Sequence, residues 1–291
     1  MATIITDLKE TFRRGNIYIQ LIYINVAVFI LTTLTEVMFQ LFNRSIAGVF
    51  EWLELPASVL RFILQPWSLL TYMFMHAGFM HILFNMLWLY WFGALFLSFF
   101  SAKHLRGVYI LGGICGGLLY MAAYNIFPYF RPMTDYSFML GASASVLAIV
   151  AATAYPIRLL LFGTIRLKYL ALIVIGTDLL FITSSNAGGH IAHLGGALAG
   201  VWFAASLSKG SDLTSWINKC LDTLVSIVSF KPRKPKMKVH YGTGKQKDYD
   251  YNARKKAQSD EIDRILDKLK KSGYESLTTE EKKSLFDASK R

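Results

Sequence analysis

Residues 141–157 read GASASVLAIVAATAYPI. After the two serines the run carries no charge, so it reads as a membrane helix that begins near Ser143. Small residues and serines are ordinary packing material in such helices. The stretch alone therefore leaves open whether Ser143 or Ser145 packs or reacts. Residues two apart on a helix point about 200° from each other, so both cannot face one partner.

The rest of the chain sets this helix among others. Of 291 residues, 54% are hydrophobic and only 17% charged, with mean hydropathy +0.38. Several apolar blocks approach the ~20 residues that span a bilayer. Six spans are predicted: 17–39, 69–97, 105–127, 143–162, 168–184 and 190–207. The fold class is an all-α, polytopic membrane bundle. The N-terminal MATIITDLKETFRRGN is polar, and the first block reads as a retained span rather than a cleaved signal. Segment 40–66 has apolar residues at helical spacing but also Glu51, Glu54 and Arg61, as an interfacial segment would. Cys115 and Cys220 cannot form a disulfide framework and read as free thiols.

Charge orients the bundle. With the N-terminus inside, Lys9, Arg13, Arg14, Lys103, Arg106, Arg158, Arg166 and Lys168 are cytoplasmic, and only Arg44, Arg61 and Arg131 are external. The formal charge is +12, and residues 209–291 hold 20 of the 31 Lys/Arg and 12 of the 19 Asp/Glu. This basic tail marks the cytoplasmic side; no nucleic-acid-binding motif accompanies it, so no nucleic-acid partner is expected. The expected division is a membrane domain at 1–208, an amphipathic interfacial helix at 209–230, a flexible basic linker at 231–258 and a small helical element at 259–291. The interfacial helix is followed by KPRKPKMK, a pattern that attracts anionic lipid. In the last element Ser272-Gly273 offers a helix stop, and Thr278 with Glu281 makes a capping box.

Polar residues inside apolar spans cost free energy unless they are paired or useful. His76, His81 and Asn85 lie in MHAGFMHILFNMLW, with His81 and Asn85 four apart on one helix face. Both carry side-chain donors of the kind that stabilise an oxyanion, although interhelical hydrogen bonding accounts for them equally well. The sixth span opens GGHIAHLGGALAG; His190 and His193 lie near its start, and Gly196 and Gly200 have the spacing for close helix approach. The fourth and sixth spans run in the same direction and both begin with their candidate residues. Ser143 and His193 are thus expected at similar depth, near the external face. Asp178, the acidic residue of the later spans, either orients a histidine or, as the favoured reading, bonds a neighbouring helix. No acidic or cysteine ligand is placed with the histidines at convincing spacing, so no metal is expected.

HILFN at 81–85, GAS at 141–143 and AHLGGALAG at 192–200, in this order on spans of matching direction, resemble the rhomboid family of intramembrane serine proteases. The resemblance covers about 60–205. It implies a six-helix bundle and a serine–histidine dyad with Ser143 as nucleophile and His193 as base. The oxyanion donors would be the Ser143 N–H, His81 and Asn85. Gly141 would permit the tight loop before the nucleophile, and Gly196 and Gly200 would hold the sixth span against the fourth; His190 would line or support the site. No cofactor is implied. The substrates implied are transmembrane proteins, cut in the cell (inner) membrane from a site that opens to the external, periplasmic side. Two letters depart from the family pattern: Ala144 follows the serine where Gly is common, and Leu147 stands where an aromatic often packs on the histidine. These departures, with the helical tail, are the warrant for the alternative, a non-proteolytic, client-binding relative, whereas the retained Ser143 and His193 argue against a catalytically dead one. The GxS register leaves Ser145 to packing or to bonding back to its own helix.

Overall fold

Apolar runs separated by short polar or glycine-containing breaks fold into helices that must bury one another. The structure, a computed structural model, describes residues 12, 15–155, 160–161, 165–228 and 244–289. Its helices of eleven or more residues are numbered here in chain order. α1 is Ile17–Leu41, α2 Phe79–Leu97, α3 Ala102–Ile126, α4 Ser143–Ala154, α5 Leu167–Leu180 and α6 Ala187–Leu207. α1, α2, α3 and α6 are long and apolar enough to cross a membrane, which makes this a multi-pass membrane protein. The six helices correspond one to one with the predicted spans, with two corrections.

The second span is not continuous from residue 69. Ser68–Thr71 and Tyr72–Phe74 form single turns, residues 75–78 are non-helical, and α2 starts only at Phe79. Hydropathy missed the break because Tyr72, Met73 and Met75 are buried against protein and so stay apolar outside a span. The fourth span, predicted to reach residue 162, is a helix of only twelve residues. At 1.5 Å per residue it is about 18 Å long, well short of the ~30 Å hydrocarbon core.

A helix this short begins inside protein. All its residues from Ala144 to Ala154 are buried, mainly by α3 and α6, with α2 on another side. Non-helical backbone at membrane depth is tolerated only where protein or a cavity satisfies it. Here β1 (Leu55–Pro56) pairs antiparallel with β2 (Phe138–Met139), in register Leu55↔Met139 and Pro56↔Phe138. Ala57 N–H then donates to Ser137 O (3.0 Å) and Gly141 N–H to Tyr72 O (2.9 Å). The loop leading to Ser143 is therefore stitched to the segment before α2.

Small residues set the packing around α4. A Cβ on Gly196 would strike the Ala144 carbonyl oxygen, and one on Gly200 would strike that of Ala148. The GxxxG face of α6 thus lies directly on the backbone of α4. A Cβ on Gly116 of α3 would stand 2.7 Å from the Ala144 methyl. Gly116 makes the room that the extra methyl of Ala144 requires. Ser145 is fully buried and its Oγ has no partner among the described residues, so it packs and does not bond back to its helix.

α7 (Ser215–Val228) is the predicted amphipathic helix. It is docked on the start of α3: Arg106 Nε donates to Asn218 Oδ1 (2.9 Å), Arg106 Nη2 to Asp222 Oδ1 (2.8 Å), and Asn218 Nδ2 to Lys103 O (3.0 Å). Ile217 is buried and Leu213 and Leu221 pack on the core, whereas Trp216, Leu224 and Ile227 remain exposed. Both cysteines are free.

The chain divides into two units, 1–230 and 231–291. In the second, α8 is Gly244–Ser272 and α9 is Thr279–Ser289. Residues 244–258 are therefore helical, which corrects the predicted flexible linker; residues 231–243, with the basic run 231–238, lie outside the described residues, as do Lys9, Arg13, Arg14 and Arg158. α8 stops at Ser272 before Gly273, whose φ is +74°. The capping box forms in both directions: Thr278 N–H donates to Glu281 Oε2 (2.8 Å) and Glu281 N–H to Thr278 Oγ1 (3.3 Å). Lys268 Nζ lies 2.9 Å from Glu281 Oε2 and, with Ile265 and Leu277 buried, closes the hairpin.

Candidate active site

The close crossing of α4 and α6 has a direct consequence for the candidate residues. The contact Ala144–Gly196 lies one residue after Ser143 and three after His193, so both side chains are brought to one side of the crossing. Ser143 and His193 line a single cavity of about 840 Å³, together with His81 and Asn85 of α2. Met80, Phe84 and Trp88 of α2 and Val146, Leu147 and Val174 give it apolar walls. All four sequence-predicted reactive or donor residues thus meet in one place. Leu147 lines the cavity, the position from which a larger aromatic would reduce its volume. Among the described residues no hydrogen bond joins Ser143 Oγ to His193; such bonds are often long before substrate is bound.

Ser143 is the first residue of α4, and the first amides of a helix have no intrahelical acceptor. Its N–H is a donor fixed by the backbone. Gly141, just before it, has φ +132°, a conformation that side chains disfavour. A Cβ there would also lie 2.9 Å from both Cε1 and Nε2 of His81. Gly141 therefore permits two things: the sharp turn into α4 and the seat of the His81 ring beside the serine.

His81 has a defined tautomer. Ala77 N–H donates to its Nδ1 at 3.4 Å, which in the neutral ring leaves the proton on Nε2, the atom over Gly141. Asn85 Nδ2 donates to His81 O (2.8 Å), using one of its two N–H bonds and leaving the other for the cavity. The site can therefore present three N–H groups, two from side chains and one from the backbone. His76 stays behind this group: it is buried, 5.2 Å ring to ring from His81, and has no partner on either nitrogen among the described residues.

Asp178 is the residue whose role the sequence reading under-weighted. His193 Nδ1 lies 2.9 Å from Asp178 Oδ1, and His190 Nδ1 lies 2.7 Å from the same oxygen. Asp178 is only 4% exposed, and its Oδ2 has no partner among the described residues. The spacing did contain a signal: His190 and His193 are three apart and share a helix face, so one carboxylate on a neighbouring helix can reach both. A carboxylate only accepts, so both Nδ1 atoms carry hydrogen, and the His193 Nε2 is left as the nitrogen that can take a proton. The expectation that no acidic group lies with the histidines is likewise corrected, because donor atoms of Asp178, His190 and His193 all lie within 4.8 Å of one another.

A helical membrane bundle that gathers a serine, a histidine and N–H donors around one cavity is a definite class of protein. Comparison with protein families matches residues 64–210 to the Rhomboid domain, half of the chain, and the chain belongs to the rhomboid family. Residues 245–291, which contain nearly all of α8 and α9, match a family of unknown function (DUF6576). The chain is similar to RHOMBOID-like protein 12, mitochondrial, of Arabidopsis thaliana, with 29% identity over 157 residues. The match covers 49% of this chain and 47% of that protein, so the chain spans about half the length of that relative.

Proposed function

We propose that the protein is an intramembrane serine endopeptidase that cuts transmembrane proteins within or beside their spans. The observation that carries this reading is the convergence of Ser143, His193, His81 and Asn85 on one cavity, with His193 held by Asp178. His193 Nε2 takes the Ser143 hydroxyl proton as Oγ attacks the peptide carbonyl. The developing oxyanion accepts from Ser143 N–H, His81 Nε2–H and Asn85 Nδ2–H. His193 returns the proton to the leaving amine, and a water activated by the same base hydrolyses the acyl-enzyme. Asp178 is a positioning residue: it fixes the His193 tautomer and ring. The reading is thus a Ser–His pair supported by a carboxylate, which a dyad alone does not require. The basic N-terminal segment and tail support a topology with both termini inside and the cavity outside, in a cell or inner membrane, with anionic lipid beside α7 as the expected lipid contact.

The test is cleavage of a transmembrane substrate by purified protein in proteoliposomes. Ser143→Ala and His193→Ala should each lower kcat by at least about 10³-fold while leaving helical content unchanged. Full activity in the Ser143 variant would remove the assignment. Ala144 and Leu147, which depart from the rhomboid pattern beside the nucleophile, favour one rival, a client-binding relative without protease activity. A fluorophosphonate separates the two: labelling that is lost in both variants supports the protease, and no labelling of the wild type supports the rival.

A further inference from the structure

The paired histidines on Asp178 are more than a protease needs, since one histidine suffices for proton transfer. We propose that Asp178, His190 and His193 form a binding site for a borderline divalent cation, zinc in particular, whose occupancy switches the protease off; the inhibitory half rests on the function proposed above. The donor set is two imidazoles and one carboxylate, the combination that suits zinc, with a fourth position left for water. Tetrahedral zinc with bonds of about 2.0–2.1 Å sets its ligands roughly 3.3 Å apart. The Nδ1–Oδ1 distances of 2.7 and 2.9 Å fall a few tenths of an ångström short of this, and all three ligand atoms lie within 4.8 Å of one another, so modest side-chain turns close the set around an ion.

A second observation points to a ligand. Asp178 Oδ2 is buried without a partner among the described residues, and an unpaired buried carboxylate oxygen is costly. A cation held by the two imidazoles can draw in Oδ2 when the carboxylate turns, and so give that oxygen the partner it lacks. The site is reachable, because the His190 and His193 side chains keep 20% and 21% of their exposure and His193 opens on the cavity.

The effect on the reaction follows from proton placement. Without metal, His193 carries its proton on Nδ1 and accepts at Nε2. Zinc takes the Nδ1 lone pair, so the ring's single proton moves to Nε2 through solvent, with no net proton lost. Nε2 then donates and cannot accept the Ser143 proton. The base is blocked although neither Ser143 nor the oxyanion donors are touched.

The full chain carrying Ser143→Ala, stripped of metal in detergent, is titrated with Co²⁺ and Zn²⁺. One equivalent of Co²⁺ should give the visible absorption of a four-coordinate site, and Zn²⁺ should displace it. His190→Gln and Asp178→Asn, each added separately with unchanged helical content, should weaken binding by at least about tenfold. In the wild type, Zn²⁺ should abolish cleavage over the same concentration range, with recovery on adding EDTA. His190→Gln should need at least about tenfold more Zn²⁺ for half-inhibition relative to its own metal-free rate. Absence of the Co²⁺ signal, or binding unaffected by both substitutions, overturns the site. Zinc inhibition that His190→Gln leaves unmoved overturns the switch. Binding that behaves as stated in a protein without protease activity retains the site and removes the proposed function instead.

Discussion

At the scale of single residues, two serines two positions apart have opposite fates. Ser143 Oγ opens on the cavity, whereas Ser145 Oγ is sealed in the protein without a partner. Removing a buried hydroxyl that makes no bond relieves desolvation, worth about 1–3 kcal/mol at most. Ser145→Ala is therefore expected to keep cleavage activity and to unfold at the same or a higher temperature in detergent, whereas Ser143→Ala keeps stability and loses activity. A Ser145 variant without activity would reverse the assignment of the two. Asp178→Asn keeps the volume but replaces the negative charge that supports a protonated His193 with a neutral amide, one end of which only donates. By analogy with soluble triads, kcat should fall by about 10²–10⁴-fold, with KM nearly unchanged because Asp178 does not line the cavity. Steady-state kinetics separate this from a general loss of folded protein, which would lower the active fraction without changing the kcat measured per labelled active site.

At the scale of elements, the contact of α6 on α4 is the most demanding feature. Gly200→Ala places a methyl against the Ala148 carbonyl oxygen, and overpacking of this kind costs about 1–3 kcal/mol. The helices must separate, so denaturation in detergent should occur at lower temperature and Ser143 should drift from His193 with loss of activity. Gly176→Ala is the control, since a Cβ there meets nothing within 4 Å. This contact was legible in the sequence because a GxxxG spacing has one physical use in an apolar helix. The break before α2 was not: the buried turns at 68–78 are as hydrophobic as a span, and hydropathy does not distinguish burial in protein from burial in lipid. The helical start of α8 was missed for the opposite reason, because a highly charged segment resembles a linker in composition. Asp178 was visible as an intramembrane carboxylate, but its partners depend on how α5 faces α6, which no local pattern encodes. In the tail, the Lys268 hydrogen bond holds the Glu281 carboxyl below the usual carboxylate range. That cap contributes at neutral pH and is lost as the pH falls through the lowered value.

At the scale of the whole membrane unit, the short α4 is packed among α2, α3, α5 and α6. α1 has many exposed apolar side chains, as a helix that meets lipid must, while α4 has none exposed. The bilayer therefore solvates the outer helices and leaves α4 to the protein. Close packing limits the size of its residues, in keeping with its alanines, serines and threonine.

The twelve residues of α4 also bear on how the chain is made. A translocon recognises segments of about 17–25 apolar residues one at a time. By that measure α1, α2, α3 and α6 can enter the bilayer on their own, and α4 cannot hold its place until α6 has been synthesised. A nascent chain arrested before residue 187 is expected to leave α4 accessible to a membrane-impermeant thiol reagent at Ala148→Cys. Release of the full chain should protect it, so the last span completes the insertion of the fourth.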